Sequence, residues 1–183
     1  MKFLALTRGA YAVVDNEDFE RLNEYKWHLV ETKNKYYGAR ARLVSEGEGK
    51  GRVLLHHEVL GLKGAIKSKV VDHANGDGLD CQKMNLRICD YSENGANRRP
   101  NRRRGKSKYK GVQYVKARGY HKGGWSAVIK HKGKKHYLGC FDDEFSAMKT
   151  YNSAAYRLFG RFAYLNYWEG PTENEERKSE DRS

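Results

Sequence analysis

The chain has 183 residues, enough for one ordinary domain or two small ones. Its 36 Lys and Arg against 23 Asp and Glu leave a net charge of +13, so a polyanion is the expected partner. There is no apolar run long enough to span a bilayer and no signal-peptide core, so a soluble, intracellular protein without a membrane role is expected; Cys81, Cys89 and Cys140, with no Cys-x-x-Cys pair, indicate neither a disulfide framework nor a zinc knuckle.

The first 45 residues predict a small β-rich unit. The apolar runs at 3–6 and 11–14 flank Thr7, Arg8 and Gly9 and predict a hairpin. Asp15 or Asn16 can cap a short helix through Phe19 and Leu22. Two further strands are predicted at 27–30 and 36–40, around a turn at Lys33 and Asn34. This unit reads as a packing scaffold, with Lys35, Arg40 and Arg42 as a solvated basic face or as phosphate contacts. A Gly/Glu/Lys-rich exposed loop follows at 45–51, then an apolar segment from Arg52 to Gly61 that contains His56.

The stretch from Val70 to Asn97 carries the chemistry. A short apolar run ends in Asp72 and His73, a turn-rich loop holds Asn75, Gly76 and Asp77, and 85–88 reads as a return strand. A helix with Ser92, Glu93 and Asn94 begins near Asp90. Strand, loop, strand and helix thus bring a carboxylate, an imidazole and amide oxygens to one place. Carboxylate and amide oxygens suit a hard divalent cation that keeps several waters. A histidine beside them can take a proton from an attacking water, which is the equipment of metal-assisted phosphodiester hydrolysis.

These residues resemble the HNH endonucleases, in the form common in phage and intron-borne homing enzymes, over about 56–99. The resemblance implies a ββα-metal site with one Mg²⁺ or Mn²⁺ per chain. Asp72 and Asn94 would ligate the metal, His73 would be the general base, and Asn85 would hold the His73 loop. Asn97, one helical turn beyond Asn94, and His56 would support the metal or phosphate.

Residues 98–108 are a dense basic run broken by Pro100 and Gly105. Arg98, Arg99, Arg102, Arg103 and Arg104 read either as a solvated linker or as phosphate contacts that add salt-dependent affinity. From 107 to 166 three strands are predicted, at 109–114, 124–130 and 135–139. A helix capped by Asp142 or Asp143 follows, carrying Phe145, Met148, Tyr151, Ala155 and Leu158 and ending at Gly160. One face of such a sheet stays open. Ser107 to Val112, Trp125 to Ile129, Tyr137 to Asp142, Ala154 to Gly160 and Leu165-Asn166 resemble the AP2 domain of plant ethylene-response factors. That resemblance implies a sheet lying in the DNA major groove, with Lys110, Gln113, Tyr114, Lys130, Lys135 and Tyr137 facing the duplex. His121 and Lys122 would lengthen the first turn towards phosphate.

The expected fold is therefore α+β. A small β-rich N-terminal unit leads into a ββα-metal nuclease unit (1–97, core about 52–97), followed by a basic linker (98–106), an AP2-like three-stranded antiparallel sheet packed on one helix (107–167) and a charged, disordered tail (168–183). The expected function is a homing-type DNA endonuclease, phage- or bacterium-encoded, acting on double-stranded DNA as a monomer that nicks or as a dimer. The rival is a sequence-specific DNA-binding regulator with an inactive HNH unit.

Overall fold

The computed structural model describes residues 1–32, 35–41, 51–63, 66–100, 107–118 and 123–168. The chain divides into two compact units, Met1–Arg98 and Arg99–Ser183, and its sheets are small and antiparallel, in a mixed α+β arrangement. The expectations for Lys33, Asn34, Arg42, the 45–50 loop, Arg102 to Arg104, His121, Lys122 and the tail from 169 onward fall outside the described residues. Among the described residues no helix is long and apolar enough to cross a membrane.

In the first unit β1 (Lys2–Ala5) pairs with β2 (Tyr11–Val14), Leu4 opposite Ala12. Period-two alternation sends Leu4, Leu6, Ala12 and Val14 into the core and leaves Phe3 and Tyr11 exposed. Helix α1 (Asn16–Asn23) adds Leu22 to that core, and the buried Trp27 indole donates to the Leu22 carbonyl at 2.8 Å. Asp15 stands at the N-cap, yet its side chain does not cap. It accepts instead from the backbone N–H of Lys83 (2.8 Å) and from Gln82 Nε2 (3.4 Å), tying the hairpin to a segment 68 residues on.

Strands β3 (His28–Glu31), β4 (Tyr36–Ala41) and β5 (Arg52–Leu54) form a second sheet, and α2 (Leu55–Val59) follows directly. Arg40 is not the solvated phosphate contact the sequence allowed. It is buried, paired with Glu58 at 2.8 Å and stacked over Tyr25, whose ring centre lies 4.2 Å from the guanidinium. A charge that far from water needs such a partner, which gives Glu58 a structural role.

The third element set is a hairpin of β6 (Val70–His73) and β7 (Leu86–Cys89), followed by α3 (Tyr91–Ala96). Asp90 and Glu93 form a reciprocal capping box, which fixes where the helix starts. Residues 79–81 are stitched to the edge of β2: Val13 N–H donates to Leu79 O and Cys81 N–H to Val13 O, each at 2.8 Å. The N-terminal hairpin is therefore part of the β6–β7 loop's own support.

In the second unit β8 (Val112–Val115), β9 (Gly124–His131) and β10 (Lys134–Phe141) form a meander with β9 in the centre, and α4 (Glu144–Phe159) packs against it. Asp143 is the N-cap, accepting from Ser146 N–H at 2.7 Å. The buried stripe of α4 is Ala147, Met148, Tyr151, Ala154, Ala155 and Phe159. Phe145 and Leu158, expected on that stripe, are largely exposed: a sequence rich in alanine hid the true face, because Ala147 and Ala154 carry too little apolar weight to mark it. Asn166 closes the unit, accepting from Lys110 N–H (2.7 Å) and donating to Lys110 O (3.0 Å).

Candidate active site and nucleic-acid interface

Asp72 and His73 are neighbours on β6, so the pleat sends their side chains to opposite faces. Asp72 turns towards α3. Asn97, the residue after that helix, fans its Nδ2 over both Asp72 carboxylate oxygens (3.1 Å each), His73 O (2.9 Å) and Ala74 O (3.3 Å). Arg87, directly across the hairpin, donates from Nη2 to Asp72 Oδ2. The carboxylate is almost fully buried, and Arg87 and Asn97 supply the donors that such burial requires. Asn94 lies one turn earlier on the same face of the helix, and its side chain makes no hydrogen bond among the described residues. The structure thus brings Asp72 together with Asn97 and Arg87, and does not join Asn94 to them by a hydrogen bond.

His73 faces the core side, only 2% exposed. Its ring meets His56 edge-on at 5.0 Å between centres and Tyr37 at 6.0 Å. Its Nε2 lies 3.9 Å from Cys81 Sγ, which is itself 3.9 Å from Gly78 O. Burial pushes the Cys81 thiol up to about 12, so the thiol keeps its proton and can donate it to Gly78 O. The contact between sulfur and His73 Nε2 runs in the direction that the His73 tautomer sets. Burial, together with the positive charge of Lys35, lowers the His73 pKa to about 4 against the opposing pull of Asp72, Asp77 and Asp80. The imidazole is accordingly neutral near pH 7. His56 is held lower still, at about 3, by burial and by its two histidine neighbours. Its Nδ1 is buried without a hydrogen-bond partner among the described residues. It is a packing partner of His73, distant from the Asp72 face of the hairpin.

Asn85 organises the loop between the strands. Its Oδ1 accepts from Asn75 N–H (3.0 Å) and its Nδ2 donates to Asn75 Oδ1 (3.1 Å) and Asp80 O (2.8 Å). Asp80 Oδ2 in turn accepts from Asn75 Nδ2 at 2.8 Å. Asp77 and Asp80 spend carboxylate oxygens on loop hydrogen bonds. Gly78 passes so close to β4 that a Cβ there would lie 2.2 Å from Tyr36 O and 2.7 Å from the Tyr37 ring. Burial and the Asp72 carboxylate raise the Tyr37 pKa, and the Arg98 charge acts on the same hydroxyl in the opposite sense. Arg98 and Arg99 are both exposed.

Two residues to which the sequence assigns no role, Arg87 and Gly78, prove to matter here. The signal for Arg87 was the hairpin register, which sets it opposite Asp72. Gly78 had none, because its neighbour is a strand some forty residues earlier.

In the second unit His131 touches Phe159 of α4, so the β9 residues that alternate with it turn away from the helix. The register then collects Gln113, Lys130, Lys135 and Tyr137 on that open face, Tyr137 opposite Val128 and Lys135 opposite Lys130. All four are exposed. Tyr114 is separated from them: it lies on the other face against Trp125, ring centres 5.2 Å apart. Lys110 precedes the sheet, half-buried, its ammonium 5.8 Å from the Tyr164 ring centre.

The donors around Asp72 fit a hard divalent cation. They are one carboxylate with acceptor capacity left beyond its present hydrogen bonds, and one amide oxygen of Asn94 that no described residue uses. Among the described residues no group of three or more His, Cys, Asp and Glu side chains is placed to hold a metal.

The chain is similar to a protein of Acanthamoeba polyphaga mimivirus named as an uncharacterized HNH endonuclease, 28% identical over 160 residues, which is 87% of this chain and 76% of the relative. That length is too great to fall within either unit alone. The similarity supports a nuclease function. No protein-family model and no solved structure matches the chain.

Proposed function

We propose that the chain is a site-directed DNA endonuclease of the homing type, in which Met1–Arg98 cuts and the sheet of the second unit selects the site. The observation that supports this reading is that Asp72, His73, Asn85, Asn94 and Asn97 all lie on one strand–strand–helix element, Asp72 and His73 on opposite faces of its first strand. The similarity to the mimivirus protein supports it independently of geometry. Asp72 and Asn94 would hold one Mg²⁺ or Mn²⁺, which when bound supplies positive charge to the phosphate and the leaving oxygen. Asn97 would keep the Asp72 carboxylate aimed through its two hydrogen bonds. His73, neutral at pH 7, would take the proton of the attacking water on a ring nitrogen. Asn85 keeps the loop at 74–80 in the shape that presents the ring.

The second unit would act as an AP2-like reader. Lys130 and Lys135 stand directly opposite each other across β9 and β10, an arrangement that repels and is relieved by phosphate. Tyr137 and Gln113 beside them present an aromatic edge and an amide, groups suited to base edges. Lys110, Arg98 and Arg99 add phosphate contacts outside the sheet face. One site per chain implies one nick, so the monomer is a nickase and a double-strand break needs two binding events.

One observation favours the rival, a DNA-binding regulator: Asp72 is already engaged by Arg87, and His73 is screened from water. The test is supercoiled plasmid at low salt with Mg²⁺ or Mn²⁺, beside His73→Ala and EDTA controls. Nicked circles from the wild type only are expected. Tight duplex binding without scission in either metal establishes the regulator.

A further inference from the structure

The geometry points to Arg87 as a placeholder cation: its guanidinium neutralises Asp72 until a divalent metal and a phosphate arrive, and so sets how tightly this site loads metal. The inference rests on reading Asp72 as a metal ligand. Three observations carry it. Arg87 faces Asp72 across the hairpin by register and donates to Oδ2, the carboxylate oxygen it shares with Asn97. Both side chains are nearly dry, at 10% and 1% exposure, so neither charge is answered by bulk water. Asn94, one turn before Asn97 on the same helix, makes no side-chain hydrogen bond among the described residues.

Physical consequences follow from charge. Without a cation, a buried carboxylate next to a hairpin would destabilise the fold, and Arg87 removes that cost. A divalent ion approaching the same carboxylate meets the guanidinium's positive charge, which opposes it through the same low-dielectric medium. Affinity for the metal alone is thereby weakened. A DNA phosphate entering the site offers the guanidinium a second, bidentate acceptor, and its departure from Oδ2 opens that oxygen to the metal. Metal loading becomes coupled to substrate, and idle hydrolysis is suppressed in the DNA-free chain. Arg87 acts here through Asp72, as a positioning residue.

The test is Mn²⁺ binding to the full chain by calorimetry, without DNA, in wild type, Arg87→Gln, Arg87→Lys and Asp72→Asn. Arg87→Gln should bind Mn²⁺ on the order of tenfold tighter than wild type, Arg87→Lys should stay within about twofold of it, and Asp72→Asn should lose the site. Titration of wild type bound to a short DNA duplex with Mg²⁺, followed at the arginine guanidinium ¹⁵N signals, covers the case in which Arg87→Gln does not fold. There the Arg87 signals should shift as metal binds. Equal or weaker Mn²⁺ binding by Arg87→Gln, or guanidinium signals that stay fixed while metal binds, overturns the inference. If Asp72→Asn binds Mn²⁺ as wild type does, the metal-centre reading itself falls and takes this one with it.

Discussion

Replacing Asn85 by alanine removes three side-chain hydrogen bonds at once: from Asn75 N–H to Oδ1, and from Nδ2 to Asn75 Oδ1 and Asp80 O. The side chain is 7% exposed, so water does not replace them easily. At about 1 kcal/mol net per neutral hydrogen bond, the loss is about 3 kcal/mol. In a unit this size that lowers the melting temperature by roughly 10–20 °C. Asn85→Asp sharpens the test, because it conserves shape. It keeps the acceptor for Asn75 N–H, yet it turns a second oxygen onto Asn75 Oδ1 and Asp80 O. Asn75 cannot simply reverse its amide, since Oδ1 accepts from Asp77 N–H (2.9 Å) and Nδ2 donates to Asp80 (2.8 Å). Asn85→Asp should therefore cost at least as much as alanine. The backbone bond from Ala74 N–H to Asn85 O, 2.8 Å, survives both changes, so strand pairing should persist while the amides of Asn75, Asp77 and Leu79 lose exchange protection. Urea unfolding with hydrogen exchange reads both effects. A loss below about 1 kcal/mol for alanine, or wild-type stability for aspartate, refutes the clasp.

Gly78→Ala should cost more than Gly76→Ala in thermal melts: the first drives a Cβ into Tyr36 O at 2.2 Å, whereas the second meets nothing within 4 Å and only strains a positive φ, at about 1–2 kcal/mol. Asn166→Ala removes both side-chain bonds to Lys110, at 2.7 and 3.0 Å, and should lower the second unit's calorimetric transition by about 2 kcal/mol of stability while the first unit's stays put. Burial pushes the Asp18 pKa up, but hydrogen bonds and charge from Arg21 and Lys83 outweigh it and hold the group below its ordinary value. A depressed carboxylate stabilises the fold above its unfolded pKa, and that stability is lost as pH falls through the folded one. Wild type should thus lose, below about pH 4, an increment that Asp18→Asn already lacks at pH 7, so the two unfolding free energies converge in acid.

What the sequence made legible was local. The hairpin at 1–14, the helix starting at Asp90 and the meander with its Asp143-capped helix all rest on signals within a few residues. The polar set from Asp72 to Asn97 was also readable as a set, because it fits in one short hairpin and helix. What stayed hidden depended on distant partners. Asp15 looks like a cap and instead serves Lys83; Arg40 looks like surface charge and is buried with Glu58; Gly78 looks like turn chemistry and is needed for contact with β4. The splitting of Asp72 from His73 across the pleat was implicit in their adjacency, yet only the pairing register says which face meets α3. On α4, alanines at the buried positions concealed the true stripe.

The bonds from Val13 to Leu79 and Cys81, with Asp15 on Lys83, have a consequence for how the chain is made. Strands β1 and β2 cannot complete their edge during synthesis until residue 83 has emerged. Their closure spans a long loop and is slow on the scale of a local hairpin. A nascent chain halted before the β6–β7 loop would carry an unsealed strand edge, open to pairing with its neighbours on the same message. The loop that orients His73 is therefore also the last piece that seals the N-terminal half against aggregation.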